Sequence, residues 1–265
     1  MKSVAKMMIG AALLTAFGTL AAQEAPASLS KAADWTKNAN ISDGDGVINV
    51  QKNTRMFSAK FDIDPSKKYT LKFSCRAANI EKTGDRSVIY AGFAVFDKNG
   101  REMNCYNCCV VPNTITEVVE DAPKGAKVIK LKDCSKFKKP YGTLNADAKE
   151  DPSDLPNYNL LGYVTDFVNK DGVWEVSLQY PLNRPVKAGT VVREQLRGGY
   201  LYTAGVKTVG KDWITMSGTI TGMSKGSWNG RVWPAGAVKA QVVILTNWNN
   251  KKLETQIKDI SLTVK

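Results

Sequence analysis

Apolar and polar residues alternate with a period of two along most of the chain, the spacing of a strand with one face to bury. Val47 to Gln51, Met56 to Phe61 and Tyr69 to Ala77 read this way, and Asp64-Pro65-Ser66 supplies the turn between the last two. Asn40 to Gly46 (NISDGDG) reads as a turn cluster. Ser87 to Phe96 is strongly apolar and is closed by the hairpin-type turn Asp97-Lys98-Asn99-Gly100. From Arg101 to Asn159 the pattern loosens. Short β-prone pieces at Thr114 to Val119 and Lys127 to Leu131 alternate with polar connections, and Ala146 to Tyr158 is a loop by composition. Regularity returns at Tyr163 to Val168 and Val173 to Gln179, around the turn Asn169-Lys170-Asp171-Gly172, and continues in Thr190 to Leu196 and Tyr200 to Ala204.

The most regular stretch is the last, Asp212 to Val264. It holds three period-two runs and four of the six tryptophans. A Gly-rich loop carrying Trp228 and Trp233 joins the first two runs, and the turn Asn247-Trp248-Asn249-Asn250 follows the second. About a dozen short β-runs, with no helical stripe beyond the N-terminus, predict an all-β fold, a β-sandwich of jelly-roll type. Neither a repeat nor a linker interrupts Trp35 to Val264. Residues 34–265 are therefore expected to form a single sandwich domain with an elaborated middle at about 101–211.

The N-terminus reads differently. Lys2 and Lys6 precede the apolar run Met7 to Leu20, and small residues follow at Ala21 and Ala22, the layout of a secretory signal peptide over residues 1–22. The run is short for a membrane span and no second apolar segment follows, so no span is expected after cleavage. Gln23 to Ala33 is expected as a flexible leader. The mature chain is predicted to be exported: secreted, periplasmic or held at the cell surface.

Charge and residue content narrow the chemistry. The formal charge of +12 falls to +10 on cleavage, since Lys2 and Lys6 leave without an acid. The lysines are scattered, and no arginine-rich helix or aromatic RNA-binding signature accompanies them, so nucleic acid is not expected as a partner and an anionic glycan is the better charged ligand. Histidine is absent. That removes the Ser/His/Asp and Cys/His nucleophile systems and argues against zinc hydrolases, leaving paired carboxylates or a Lys, Tyr or Arg base for any enzyme. Glu175 and Glu194, each on a predicted strand, would be the carboxylate pair of such a polysaccharide-degrading enzyme. Five cysteines, Cys75, Cys105, Cys108, Cys109 and Cys134, predict one or two disulfides in an oxidising compartment with one thiol left over. No second Cys-x-x-Cys and no histidine complete a metal site around Cys105 and Cys108.

Both ends of the mature chain resemble a known family. MFSAKFDIDPSKKYTLKFSCRA near the start, and DWITMSGTITG with AQVVILTNWNNKKLETQIKDISL at the end, are similar to the galactose-binding-like jelly-roll carbohydrate-binding modules that accompany secreted polysaccharide-degrading enzymes. The resemblance covers roughly the first forty ordered residues and the last fifty, and the long middle and the cysteine cluster depart from it. It implies a non-catalytic protein that binds a polysaccharide or glycan. It also implies a structural calcium ion near the termini, with Asp259 at the matching place and Asp43 or Asp45 beside it.

Sugar recognition needs flat aromatic faces against the C–H patch of a pyranose, flanked by groups that satisfy hydroxyls. Trp228 and Trp233, with Asn229 and Arg231 between them, meet that description in the Gly-rich loop. The same indoles could equally fill the sandwich. Trp248 stands among asparagines, and Tyr200 and Tyr202 lie near Arg193 and Arg197. Trp174 and Trp213, embedded in strands, are assigned to the core. The alternative to glycan binding without catalysis is an enzyme acting on polysaccharide or a cell-surface structural or adhesion subunit.

Overall fold

A computed structural model describes residues 24–26, 28–80, 84–138 and 142–265. The expected signal peptide, residues 1–22, lies outside the described residues. Among those described, no helix is long and apolar enough to cross a membrane.

The fold is all-β, and every strand pair is antiparallel. In chain order the strands begin with β1 Ile41–Gly44, β2 Val47–Gln51, β3 Thr54–Phe57, β4 Phe61–Asp62, β5 Tyr69–Ala78, β6 Ser87–Phe96 and β7 Glu102–Met103. The middle supplies a four-residue helix α1 Cys105–Cys108 and then β8 Thr116–Glu117, β9 Val128–Leu131, β10 Gly142–Ala146, β11 Leu160–Lys170, β12 Val173–Leu178 and β13 Val191–Leu196. The chain ends on β14 Leu201–Val209, β15 Ile214–Ile220, β16 Lys239–Thr246 and β17 Glu254–Val264.

Two sheets form a sandwich. One runs β1-β2-β17-β5-β15, the other β14-β6-β16-β3, with β4 added to β16 and β7 to β6. The alternation read from sequence becomes the core: Ile48, Val50, Leu71, Phe73, Ile257 and Leu262 from the first sheet meet Met56, Ile89, Ala91, Phe93, Val242 and Ile244 from the second. In β17 a bulge between Lys258 and Ser261 puts Asp259 at φ 54°, so that both Ile257 and Ile260 point inward.

Four sequence expectations change. Asn40 to Gly46 is not all turn: β1 pairs with β2, and only Asp45 and Gly46, at φ 49° and 74°, form the two-residue hairpin turn that positive φ favours. The segment Gln23 to Ala33 is not a free leader where described, because Leu29 is buried and accepts a hydrogen bond at its carbonyl from the Trp35 indole, 3.1 Å away. Met56 to Phe61 breaks into β3 and β4.

The fourth change concerns the middle. β7 and β14, at its ends, join the sandwich, whereas β8 to β13 make a sheet of their own. The strands β8-β13-β10-β11-β12-β9 form a sheet whose two edges rejoin at a Val118–Leu131 bridge, with Val119 N to Lys130 O and Lys132 N to Glu117 O both at 3.0 Å. The result is a six-stranded barrel with a separate core that includes Ile129, Leu131, Leu144, Val164, Val176 and Val192. Closure satisfies the edge hydrogen bonds that an open sheet would leave exposed.

Candidate functional site

The six-stranded sheet of the sandwich turns Ile89, Ala91 and Phe93 inward, so parity sends Tyr90 to its outer face. Register then aligns Tyr90 with Leu245, and Leu245 with Arg55, across three strands. One row along, Gly92 opposes Val243 and Val243 opposes Phe57. Gly92 has to be glycine. A Cβ there would stand 1.7 Å from the Leu201 carbonyl oxygen, because β14 bulges between Leu201 and Gly205 and folds over β6 at this point. The bulge carries Tyr200 and Tyr202 onto the same outer face.

Trp248 arrives from the turn after β16. Asn247, fully buried at φ 54°, pins that turn: its Nδ2 donates to Val50 O (3.1 Å) and Lys52 O (2.8 Å), and its Oδ1 accepts from Ser87 Oγ (3.0 Å) and Thr255 Oγ1 (2.8 Å). Asn249 ties the turn to β6 by accepting from Val88 N at 2.7 Å and donating to Arg86 O at 3.0 Å. Trp248 is thereby set beside Tyr90, with 40% of its surface exposed.

These residues form a ladder of rings in mutual contact. Phe57 meets Tyr200 edge to face at 5.9 Å, Tyr200 meets Tyr202 at 6.5 Å, Tyr202 meets Tyr90 at 5.0 Å, and Tyr90 meets Trp248 at 6.2 Å. The Arg55 guanidinium lies 5.6 Å from the Trp248 ring centre, and the burial that raises the Tyr200 hydroxyl pKa is opposed by its charge, which lowers it. Partial burial raises the hydroxyl pKa of Tyr200 and of Tyr202, and both are neutral hydroxyls at physiological pH. The face therefore offers ring surfaces, phenolic hydroxyls and one guanidinium, the combination that can lie against a sugar ring while bonding its hydroxyls.

Of the aromatic residues singled out from sequence, Tyr200, Tyr202 and Trp248 come together here. Trp228 does not join them. It is half-buried against the sandwich core. Asn229 and Arg231 are exposed on the same loop, where Asn229 Oδ1 accepts from Arg231 N at 2.9 Å. Trp233 corrects the expectation of an open loop tryptophan: it is completely buried, with ring centres 5.3 Å from Tyr69 and 5.1 Å from Phe93. Backbone bonds from Trp233 N to Gly222 O and from Ser224 N to Trp233 O fold the loop back over the sandwich and drive the indole inside. Sequence reading missed Arg55, Phe57 and Tyr90. The signal for Tyr90 was hidden in a run that is apolar on both faces, where parity cannot separate inside from outside.

The remaining candidates are dispersed. Glu175 and Glu194 are not a pair. Val176 points into the barrel, so Glu175 lies on the outside of the wall, bonded to Lys170 at 2.6 Å. Glu194 shares the parity of Val192 and is fully buried, with Oε2 accepting from Lys138 N at 2.7 Å. Burial pushes its pKa up to about 7, against the Lys138 hydrogen bond that lowers it. Arg193, from the other face of β13, is locked to Asp154 at 2.7 Å, and Arg197 bonds Val164 O at 3.1 Å.

Asp43 and Asp45 lie in the first hairpin and Asp259 at the β17 bulge. Asp43 Oδ1 accepts from Ala32 N at 2.8 Å, and no cluster of three His, Cys, Asp or Glu that could hold a metal occurs among the described residues. The expected disulfides are not formed, and all five cysteines are free and buried. Cys75 belongs to the sandwich core and Cys134 to the barrel core, where burial raises each thiol to about 12. Cys105, Cys108 and Cys109 share one helical turn. A hydrogen bond from Cys105 lowers the Cys109 thiol to about 7, helped by the Trp228 N–H.

No family model matches the chain, and no curated protein matches it either.

Proposed function

We propose that this is an exported, non-catalytic carbohydrate-binding protein that holds a polysaccharide or glycan along the Phe57–Tyr200–Tyr202–Tyr90–Trp248 ladder. The observation that carries the reading is the continuity of five rings on one sheet face, ending on a tryptophan exposed to 40% with a guanidinium over it. Aromatics left partly open to water in a contiguous row mark a binding surface more readily than scattered single residues do. Phe57, Tyr90 and Tyr202 sit on sheet strands and Trp248 on a buried hydrogen-bonded turn, so little order has to be imposed when a ligand binds. The likeness of the chain ends to galactose-binding-like jelly-roll modules supports the same reading, and the basic-then-apolar N-terminus supports export.

Affinity electrophoresis of the folded protein through gels containing neutral and anionic polysaccharides tests it. Retardation on at least one polysaccharide is expected, with Trp248→Ala weakening it about tenfold while leaving the circular dichroism spectrum unchanged. Free migration on every polysaccharide would sink the proposal.

A further inference from the structure

The outer face of the five-stranded sheet carries a second aromatic position that sequence reading assigned to the core. Ile214 opposes Cys75 and packs inward, so the preceding residue, Trp213, falls on the outer face beside Arg76. Two cations approach the indole: Arg76 Cζ is 4.8 Å and Lys258 Nζ 4.5 Å from its ring centre. Register explains the convergence. Lys258 opposes Ser74, and Lys72 and Arg76 flank Ser74 on the same face of β5, so Lys258 stands diagonal to both. Arg76 is held in place by donating from Nε to Gln256 Oε1 at 2.8 Å, while Gln256 donates to Asn49 Oδ1 at 3.0 Å.

Among the described residues, none of these three cations has a carboxylate at ion-pair distance; the nearest acids in sequence, Asp212 and Asp259, do not close on them. Two positive charges within 5 Å of one ring centre repel each other, and the indole quadrupole offsets that only in part. An anionic group arriving at Trp213 would meet both charges at once. The same face carries hydroxyl pairs, Thr70 bonded to Thr219 at 3.0 Å and Ser74 to Thr215 at 3.5 Å, and, further along β17, Glu254, whose Oε2 accepts from Gln51 Nε2 at 3.4 Å.

We propose that Trp213, Arg76 and Lys258, with Lys72 alongside, form a separate site for an anionic sugar: the pyranose stacks on the indole and its carboxylate or sulfate bridges the two cations. A nucleic acid would call for cations spread along a groove or stripe. Here they converge on one ring, the footprint of one or two charged groups. The site shares no residue with the ladder on the opposite sheet and stands whether or not the ladder binds glycan.

The test is affinity electrophoresis and calorimetric titration of the full chain with oligogalacturonate, its fully methyl-esterified form, a heparin-derived oligosaccharide and a short DNA duplex, at fixed low ionic strength. The free acid or the sulfated oligosaccharide is expected to bind, and the ester to bind at least tenfold more weakly. The Arg76→Gln/Lys258→Gln double variant and, separately, Trp213→Ala should each lose about tenfold in affinity for the anionic ligand, whereas Lys124→Gln/Lys127→Gln, which removes the same charge from exposed lysines outside both aromatic sites, should not. Near-UV circular dichroism establishes that the variants are folded. Four results overturn the proposal: no binding of either anionic oligosaccharide, equal binding of acid and ester, a loss in Lys124→Gln/Lys127→Gln as large as in the Arg76→Gln/Lys258→Gln variant, or DNA binding as tight as the glycan through the same residues. Failure of the ladder reading is separate, since it appears as a Trp248→Ala variant that matches the parent protein on every polysaccharide.

Discussion

Replacing Asn247 by alanine should cost more stability than any surface substitution in this protein and should also dismantle one end of the aromatic ladder. The side chain is fully buried and makes four hydrogen bonds that join its turn to three other segments: to Val50 and Lys52 at the end of β2, to Ser87 at the start of β6, and to Thr255 in β17. At about 1 kcal/mol for each bond removed, the loss is about 4 kcal/mol. Alanine at φ 54° adds about 1 kcal/mol, because a Cβ in the left-handed region crowds the following carbonyl. For a chain of this length, about 5 kcal/mol corresponds to a fall in Tm on the order of 10–15 °C. Thermal and urea unfolding followed by circular dichroism would measure it. The Asn247→Gly variant keeps the backbone comfortable and loses only the hydrogen bonds, so it should recover about 1 kcal/mol relative to alanine. Near-UV circular dichroism should report loss of the ordered Trp248 signal in both. A destabilisation below about 1 kcal/mol in Asn247→Ala would refute the reasoning that this amide clamps the sandwich.

Three further outcomes follow from the same geometry. Gly92→Ala should displace the β14 bulge, lowering stability by about 2 kcal/mol or more and weakening glycan retention together with it; urea denaturation and affinity electrophoresis read the two effects. Because burial raises Glu194 to about 7, the folded protein holds a proton there that the unfolded chain releases near pH 4.5. Its contribution is fully present below that unfolded pKa and is lost as pH rises through about 7, amounting to roughly 3 kcal/mol at most. Glu194→Gln should accordingly raise Tm at pH 8 more than at pH 5, and a difference independent of pH would contradict this. Finally, brief treatment with iodoacetamide at pH 7.5 should modify Cys109 first, while Cys75 and Cys134 should react only on unfolding, as peptide mass mapping would show.

Strand positions were legible in the sequence because a half-buried strand repeats every second residue. Val47 to Gln51 and Ser87 to Phe96 match β2 and β6 residue for residue, and the Asp171-Gly172 turn has the positive φ that its composition predicts. Absence of histidine likewise removed whole classes of chemistry without any coordinates. Which strands meet, and which face of a doubly apolar run looks outward, depends on contacts between residues far apart in the chain. The ladder draws Phe57, Tyr90, Tyr200, Tyr202 and Trp248 from four separate segments, and only register makes them neighbours. The same cause exchanged two tryptophans: loop residue Trp233 is sealed among Tyr69 and Phe93, whereas Trp213, at the head of a strand, lies among cations on an outer face. Local alternation is fixed by the geometry of one strand, but burial is decided by what the rest of the chain places on top of it.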